Sequence, residues 1–338
     1  MKVGLIGAGM VAKTYADLFA KSDVVQLGPV AAGSLDSARA FVAAHPGLGA
    51  TAATVDQIAA DPSVGFAIVT TPPNARREIV ETLVRAGKPI LMEKPVERTL
   101  ANATALVEMC EAASVPLGIV LQHRARPVIA DLRARLPDLG ALYAAEVNVP
   151  WWRPQSYYDA PGRGTYARDG GGVLISQAIH TLDLMLTLTG PVADVTALTA
   201  TTGLHRMEAE DFVCAGLRFA SGAVGQVLAT TASFPGRGET ITLHHAKGSA
   251  ALAAGVLRID WHDGRSEAFG QAAASGAGAD PMAFTSDWHR AVVEDFAAAL
   301  REGRAPMVPG RAALEVHRLI AALERSGQTG ARVSLNEV

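Results

Sequence analysis

The sequence predicts a two-domain α/β protein: residues 1–122 built on a parallel sheet, and residues 123–338 forming an α+β domain whose C-terminal helices can pack back on the first domain. Three observations carry this expectation. The first 120 residues alternate short, uniformly apolar runs with amphipathic stretches of helical length, the pattern of βαβ units whose sheet is covered on both faces. Past residue 123, strand-like segments follow one another without helices between them, which points to an antiparallel or mixed sheet. The length of 338 residues exceeds one typical domain, and an apolar content of 49 % supplies core for two.

In order, "KVGLIGAG" reads as strand and turn, "MVAKTYADLFAKS" as helix and "VVQLGPVAAGS" as strand. "DSARAFVAAH" is a helix with Asp36 or Ser37 as its cap. "FAIVTTPP" is a strand, "NARREIVETLVRAG" a helix, "PILMEKP" a strand, "LANATALVEMCEAAS" a helix and "PLGIVLQHR" a strand. The second domain opens with a helix near 126–137 and the strand "ALYAAEVNV". An irregular aromatic segment, 150–171, and a helix over 172–189 follow. Strands are then expected near 192–202, 211–219, 223–231, 239–245 and 249–253, with glycine turns in "FASGAVG" and "HHAKGSA". Low-complexity residues 271–280 read as a loop, and helices near 286–302 and 311–326 close the chain.

Charge excludes some functions. Thirty basic against 33 acidic residues give a net charge of −3, no footprint for nucleic acid or an anionic membrane surface. No apolar run approaches the roughly 20 residues that span a bilayer, and the N-terminus lacks a cleavage signal; a cytoplasmic location is expected. Cys110 and Cys214 lie far apart in apolar segments and read as buried free thiols. No His, Cys or Asp cluster has metal-ligand spacing, and His244 and His245, as neighbours on a strand, point to opposite sides.

Gly7, Gly9 and Ala12 fill the small positions of G-x-G-x-x-G/A directly after the first strand. That fingerprint gives a tight turn, room for a pyrophosphate against the backbone, and close helix packing. Met10 and Val11 complete the turn. The second strand ends in Gly33-Ser34 rather than in a carboxylate that would read a ribose 2′-hydroxyl. Ser34, with Arg39, suits a 2′-phosphate, so NADP is favoured and NAD is the alternative. Thr70, Thr71, Pro72 and Asn74 end another strand of the sheet and face the same crevice. In "ILMEKP" the strand ends in Glu93 and Lys94, a lysine that can point at the nicotinamide side with Glu93 to orient it, and Pro95 holds Lys94 extended.

Together, the fingerprint, the T-P-P turn and E-K-P at a strand end resemble the Gfo/Idh/MocA family of NAD(P)-dependent oxidoreductases, which act on sugars, cyclitols and related alcohols. "RDGGGVLISQAIHTLDLM", "FASGAVG", "FPGRGETITLHHAKGSAAL" and "DPMAFTSDWHRAVVEDF" carry the likeness through the second half. The resemblance implies a Rossmann domain and a second domain with an open, mostly antiparallel sheet, one face of which packs on another subunit in a homodimer or homotetramer. It implies that Lys94 and His180 are catalytic. The sequence departs from the family pattern at three places. Ser176 stands where many members have an aspartate four residues before the histidine; either Asp183 takes that part or His180 is a weaker base. Arg76 stands where the family often has histidine, and the acidic ribose reader is displaced.

The expected chemistry is direct hydride transfer, with His180 and Lys94 sharing the hydroxyl proton; which is the formal acid/base stays open. For the substrate, Trp152, Arg153, Tyr158 and Arg163 in the aromatic segment offer ring faces and planar donors. His123, Ser176, Asp183 and His289 are further substrate-binding candidates. Two alternatives belong to other classes: a hydrolase or epimerase that reduces and reoxidises a tightly held NAD, and a non-catalytic dinucleotide-binding regulator.

Overall fold

The computed structural model describes residues 1–272, 276–280 and 284–338. Residues 1–125 and 286–314 form one compact unit, and residues 126–285 and 315–338 form another.

The first unit is built on six strands: β1 (Lys2–Ile6), β2 (Gln26–Ala31), β3 (Thr51–Ala52), β4 (Phe66–Val69), β5 (Ile90–Glu93) and β6 (Leu117–Val120). All neighbours pair in parallel, in the order β3-β2-β1-β4-β5-β6. Strands β4, β5 and β6 are buried at every position, which is why they read as unbroken apolar runs. Helix Asp287–Glu302 belongs to this unit. Its Val292, Val293, Phe296 and Ala297 join Leu5, Phe66, Ile68 and Leu91 in one core cluster. Phe296 meets Phe66 edge to face, with centroids 5.0 Å apart. Gly118 on β6 makes room for it, because a Cβ there would stand 2.7 Å from the Phe296 ring. Strand β3 and the helix Val55–Ala60 were not expected. That helix begins with a capping box in which Thr54 and Gln57 each accept the other's backbone N–H.

The second unit holds a sheet of nine strands: β7 (Leu142–Pro150), β8 (Val192–Ala200), β9 (Phe212–Phe219), β10 (Val224–Thr230), β11 (Thr240–His245), β12 (Gly248–Ala253), β13 (Val256–Trp261), β14 (Ser266–Gly270) and β15 (Val333–Ser334). Their order is β14-β13-β12-β11-β7-β10-β9-β8-β15, antiparallel throughout the described residues except for the parallel pair β7/β10. Strands β13, β14 and β15 were not expected. Cross-strand partners Leu198, Cys214, Leu228, Asn148 and Thr240 form one row across the sheet. Leu198 is 58 % exposed in that row. Cys214 is exposed as well, which corrects the expectation of two buried thiols. Alternation along β9 turns Val213, Ala215 and Leu217 inward and Cys214 outward; only Cys110 is buried. The helix expected over 172–189 starts instead as a π-helix, Leu174–Ala178, and continues as α-helix Ile179–Thr189. Of the low-complexity stretch 271–280, residues 273–275 lie outside the described residues, and the others carry no regular structure.

Among the described residues, no helix is long and apolar enough to cross a membrane.

Candidate active site

In the first unit, β1, β4, β5 and β6 run parallel, so the segments after them emerge at one edge of the sheet, and the strand order reverses between β1 and β4. That reversal is where doubly wound sheets bind nucleotides. Gly7 turns there with φ +116° and donates its amide to Ala31 (2.8 Å). The Thr70 hydroxyl donates to the Gly7 carbonyl (2.9 Å), and a Cβ on Gly7 would meet that hydroxyl at 2.5 Å. Around Gly9 the space is open, with nothing within 4 Å of a would-be Cβ. Helix Ala12–Lys21 starts after Val11 without a side-chain cap; its Ala12 and Thr14 amides turn back to the Gly9 (3.1 Å) and Val11 (2.9 Å) carbonyls. Met10 is exposed and Ala12 fully buried. The chain thus fits a dinucleotide pyrophosphate at this turn.

Other cofactor candidates are held differently. Ser34 caps helix Leu35–Ala44 by accepting from the Ser37 amide, and its hydroxyl lies 2.9 Å from that of Ser37. Arg39 pairs with Asp36 (3.0 Å) on the exposed surface. Thr71 has a buried hydroxyl with no hydrogen-bond partner among the described residues. Pro72 precedes a 3₁₀ turn, Pro73–Ala75, on which Asn74 is exposed.

Lys94, half-buried, follows β5, and the Lys94–Pro95 peptide is cis. Glu93 is buried; its Oε1 accepts from the Tyr15 hydroxyl (2.7 Å) and its Oε2 from the Lys94 amide (3.2 Å). His289, also buried, brings Nε2 to 3.9 Å from Glu93 Oε1. Burial pushes the His289 pKa down, opposed by Glu93 and reinforced by the Lys94 charge. Burial, then Glu93, pushes Tyr15 well above the usual phenol range. Beneath the lysine lies Arg76, 2 % exposed, donating to the carbonyls of Thr71, Glu93 and Pro95. Burial lowers the Arg76 pKa to about 10, with Glu93 acting in opposition, so it stays a cation at neutral pH. His123 follows β6, buried against Trp288 (centroids 6.0 Å, edge to face). Tyr15 and Arg76 are the partners that sequence reasoning missed. Position 76 stands out in the sequence only as a departure from pattern, and Tyr15 lies unmarked within an expected helix.

In the second unit, His180 sits two residues past the π-helix, as the second residue of the α-helix, and is 7 % exposed. The π turn changes the relation of Ser176 to His180 from the regular α-helical turn that the sequence suggested. Ser176 is half-buried and Asp183 fully buried. Gln177 and Thr181 are also buried, each with a side-chain oxygen lacking a hydrogen-bond partner among the described residues. The start of this helix is clamped by Glu210, whose carboxylate accepts from the amides of Gly172 (3.1 Å) and Leu174 (3.0 Å) and whose carbonyl accepts from Val173 (2.9 Å). Glu210 lies 38 residues past Gly172, too far for any local signal to have paired them.

The aromatic segment is tied down in part. Arg153 is 2 % exposed and stacks over Trp151 and Tyr157. Its guanidinium donates to the carbonyls of Trp152, Gly276 and Gly278. The Tyr158 hydroxyl is 2.7 Å from Thr231 Oγ1, and its ring packs on His205. His205 in turn joins Asp211 (2.7 Å) to the Arg153 carbonyl (2.8 Å). Arg153 and Tyr158 therefore have structural partners already. Trp152 is half-buried, edge to face with Phe234 at 5.3 Å, and Arg163 lies over Tyr157 at 4.8 Å, with Asp169 at 3.9 Å. Among the described residues no group of three or more His, Cys, Asp or Glu could hold a metal ion. His244 faces Glu146 and Ser249, and His245 the Gly140 carbonyl.

Two family models match the chain. Residues 1–120 match an oxidoreductase family with an NAD-binding Rossmann fold, and residues 135–251 match the GFO/IDH/MocA C-terminal domain. The chain is 29 % identical to 1,5-anhydro-D-fructose reductase of Ensifer adhaerens, over 66 % of this chain and 67 % of that one. It is 29 % identical to D-apiose dehydrogenase of Paraburkholderia graminis, over 80 % and 72 %. Among solved structures, it superposes on the WlbA dehydrogenase of Bordetella pertussis, determined with NADH and UDP-GlcNAcA, with a TM-score of 0.81 and 27 % identity, covering 99 % and 98 % of the two chains.

Proposed function

The chain belongs to the Gfo/Idh/MocA family of oxidoreductases, with an NAD-binding Rossmann domain, and from that membership we propose that it moves a hydride between a nicotinamide cofactor and a sugar, cyclitol or related polyol or keto-sugar. The observation that carries this reading is the seating of Lys94: it follows a strand of the nucleotide-binding sheet, with its own amide held by Glu93 and the neighbouring carbonyls held by Arg76. The nicotinamide, when bound, supplies the hydride acceptor or donor. In oxidation His180 and Lys94 share the hydroxyl proton: one takes it while the other donates a hydrogen bond to the same oxygen and stabilises its developing charge. Reduction reverses these roles. Gln177 and Thr181, with their buried unpartnered oxygens, join Ser176 and Asp183 as groups that would receive substrate hydroxyls, and Trp152 offers a ring face.

NADP is the favoured cofactor, because Ser34 rather than a carboxylate caps the helix that follows the second strand, and Asp36 is partnered by Arg39. The outward row of the large sheet, with exposed Leu198 and Cys214, suits a second copy of the chain; light scattering behind a sizing column should give a dimer or tetramer mass, and a monomer mass rejects this assembly.

One experiment tests the function directly: aldoses, uronates, cyclitols and anhydrosugars assayed with NADP and with NAD, for wild type, K94M and H180A. We expect at least one polyol to turn over with a lower KM for NADP. Each variant should lose about 10²-fold or more in kcat while NADPH binding, followed by fluorescence, is kept. Near-normal turnover in both variants rejects the mechanism, and a lower KM for NAD rejects the cofactor assignment.

A further inference from the structure

Arg76 is an expensive residue to bury. The residue is 2 % exposed, and the hydrogen bonds its guanidinium makes go to three backbone carbonyls rather than to a carboxylate. Removing such a cation from water costs free energy unless its position repays it. The three carbonyls are not scattered. Two of them, those of Glu93 and Pro95, flank Lys94 on either side and share one nitrogen of the guanidinium. The third belongs to Thr71, in the turn after β4, and accepts from Nε at 2.9 Å. One rigid fork therefore joins the turn after β4 to both peptides around the lysine.

The same cation acts on charge. Glu93, which holds the Lys94 amide, is met by Tyr15, His289 and Arg76, Glu97 acts on Arg76 as well, and the Lys94 charge reaches His289. Glu93 alone would hold Lys94 as an ammonium ion, since an opposite charge favours the ionised form. A fixed positive charge beneath Glu93 counters that pull.

We propose that Arg76 is a positioning residue for Lys94: one guanidinium fixes the carbonyls on both sides of the lysine, ties them to the Thr71 turn, and offsets Glu93 so that the lysine can exchange a proton. This rests on the reading of Lys94 as a catalytic group and adds what sets its aim and basicity. A histidine at position 76, as the family pattern often has, is a smaller donor that is mostly neutral above about pH 6.5; the arginine supplies a permanent charge and a longer reach.

The test follows Lys94 itself and needs no substrate. Full-length protein is reductively methylated with ¹³C-formaldehyde, and the Lys94 resonance, assigned with K94R, is titrated by NMR in wild type, R76K, R76Q and R76M. NADPH affinity and circular dichroism control for the fold. In R76Q and R76M the Lys94 midpoint should rise by about one pH unit, with NADPH affinity within about threefold of wild type. R76K keeps the charge, so its midpoint should stay within about 0.3 unit. A wild-type midpoint in R76Q overturns the proposal, as does an equal rise in R76K, which keeps the charge that the proposal sets against Glu93. Should R76M lose its fold, R76Q, whose amide still donates to a carbonyl, decides. Failure of the underlying reading looks different: K94M would then keep full turnover on the polyol panel while the Lys94 titration still answers to Arg76.

Discussion

At Gly172 only a hydrogen fits. A Cβ there would lie 1.8 Å from the Glu210 carbonyl oxygen, and both chains at that contact are backbone or buried, so neither can swing aside. Gly9 is the opposite case, with open space where a Cβ would go. The two glycines therefore predict different outcomes for the same substitution. G172A should lower Tm by about 10 °C, from a loss of about 3 kcal/mol or more. G9A should leave Tm within about 1 °C yet remove most NADPH binding, because the methyl group fills the approach of a pyrophosphate. Thermal melts with and without NADPH separate the two. The residues that were legible in the sequence are of the second kind. Gly7 and Gly9 lie in a short motif whose spacing marks a tight turn, Lys94 stands out as a charge at the end of an apolar strand, and His180 stands out only through the family resemblance. Arg153 and Tyr158 were read as substrate groups because arginine and tyrosine suit a sugar. Their observed partners, the Gly276 and Gly278 carbonyls and Thr231, are more than 70 residues away in the chain, and no local pattern announces such contacts.

The helix that carries His180 shows how an element is held from outside its own sequence. Glu210 occupies its N-terminal amides, and a second carboxyl, Glu324, stands close by: its unpartnered Oε1 lies 3.1 Å from where a Cβ on Gly171 would be. Burial, then the neighbouring Glu210, pushes Glu324 up to about 8. An acid raised in the folded state holds a proton that the unfolded chain has released, so stability falls as pH rises from about 4.5 toward 8. E324Q removes that slope. Its Tm should exceed that of wild type by about 5 °C at pH 8.5 and match it near pH 4.5, as scanning calorimetry across this range would show. Neither the π turn nor this acid pair was legible, because both arise from packing between elements. Strands β13 and β14 were missed for another reason. "VLRIDW" and "SEAFG" alternate as half-exposed strands do, and glycines 255 and 264 lie in the turns before them, but the charged outward positions diluted the apolar signal. The Thr54–Gln57 capping box was likewise present in the sequence and announced a helix only six residues long.

At the scale of the whole chain, the βαβ alternation made the parallel sheet legible, but its core is finished by residues from elsewhere in the sequence. Phe296 fills the space over Gly118 and Phe66, and Val292, Val293 and Ala297 join the same cluster. A fragment ending at residue 125 lacks all four. We expect it to show no cooperative melt and no NADPH binding, whereas the same fragment joined by a flexible linker to residues 286–314 should regain both; circular dichroism and fluorescence titration check this. The contact between Gly118 and Phe296 also has a consequence for how the protein is born. The 160 residues from 126 to 285 stand between the two parts of the first unit, and at about 5–20 residues per second a ribosome needs roughly ten to thirty seconds to make them. Throughout that interval the nascent nucleotide-binding sheet lacks its last helix. The domain synthesised first is thus the one completed late, and in that window its unfinished apolar face is what a chaperone would meet.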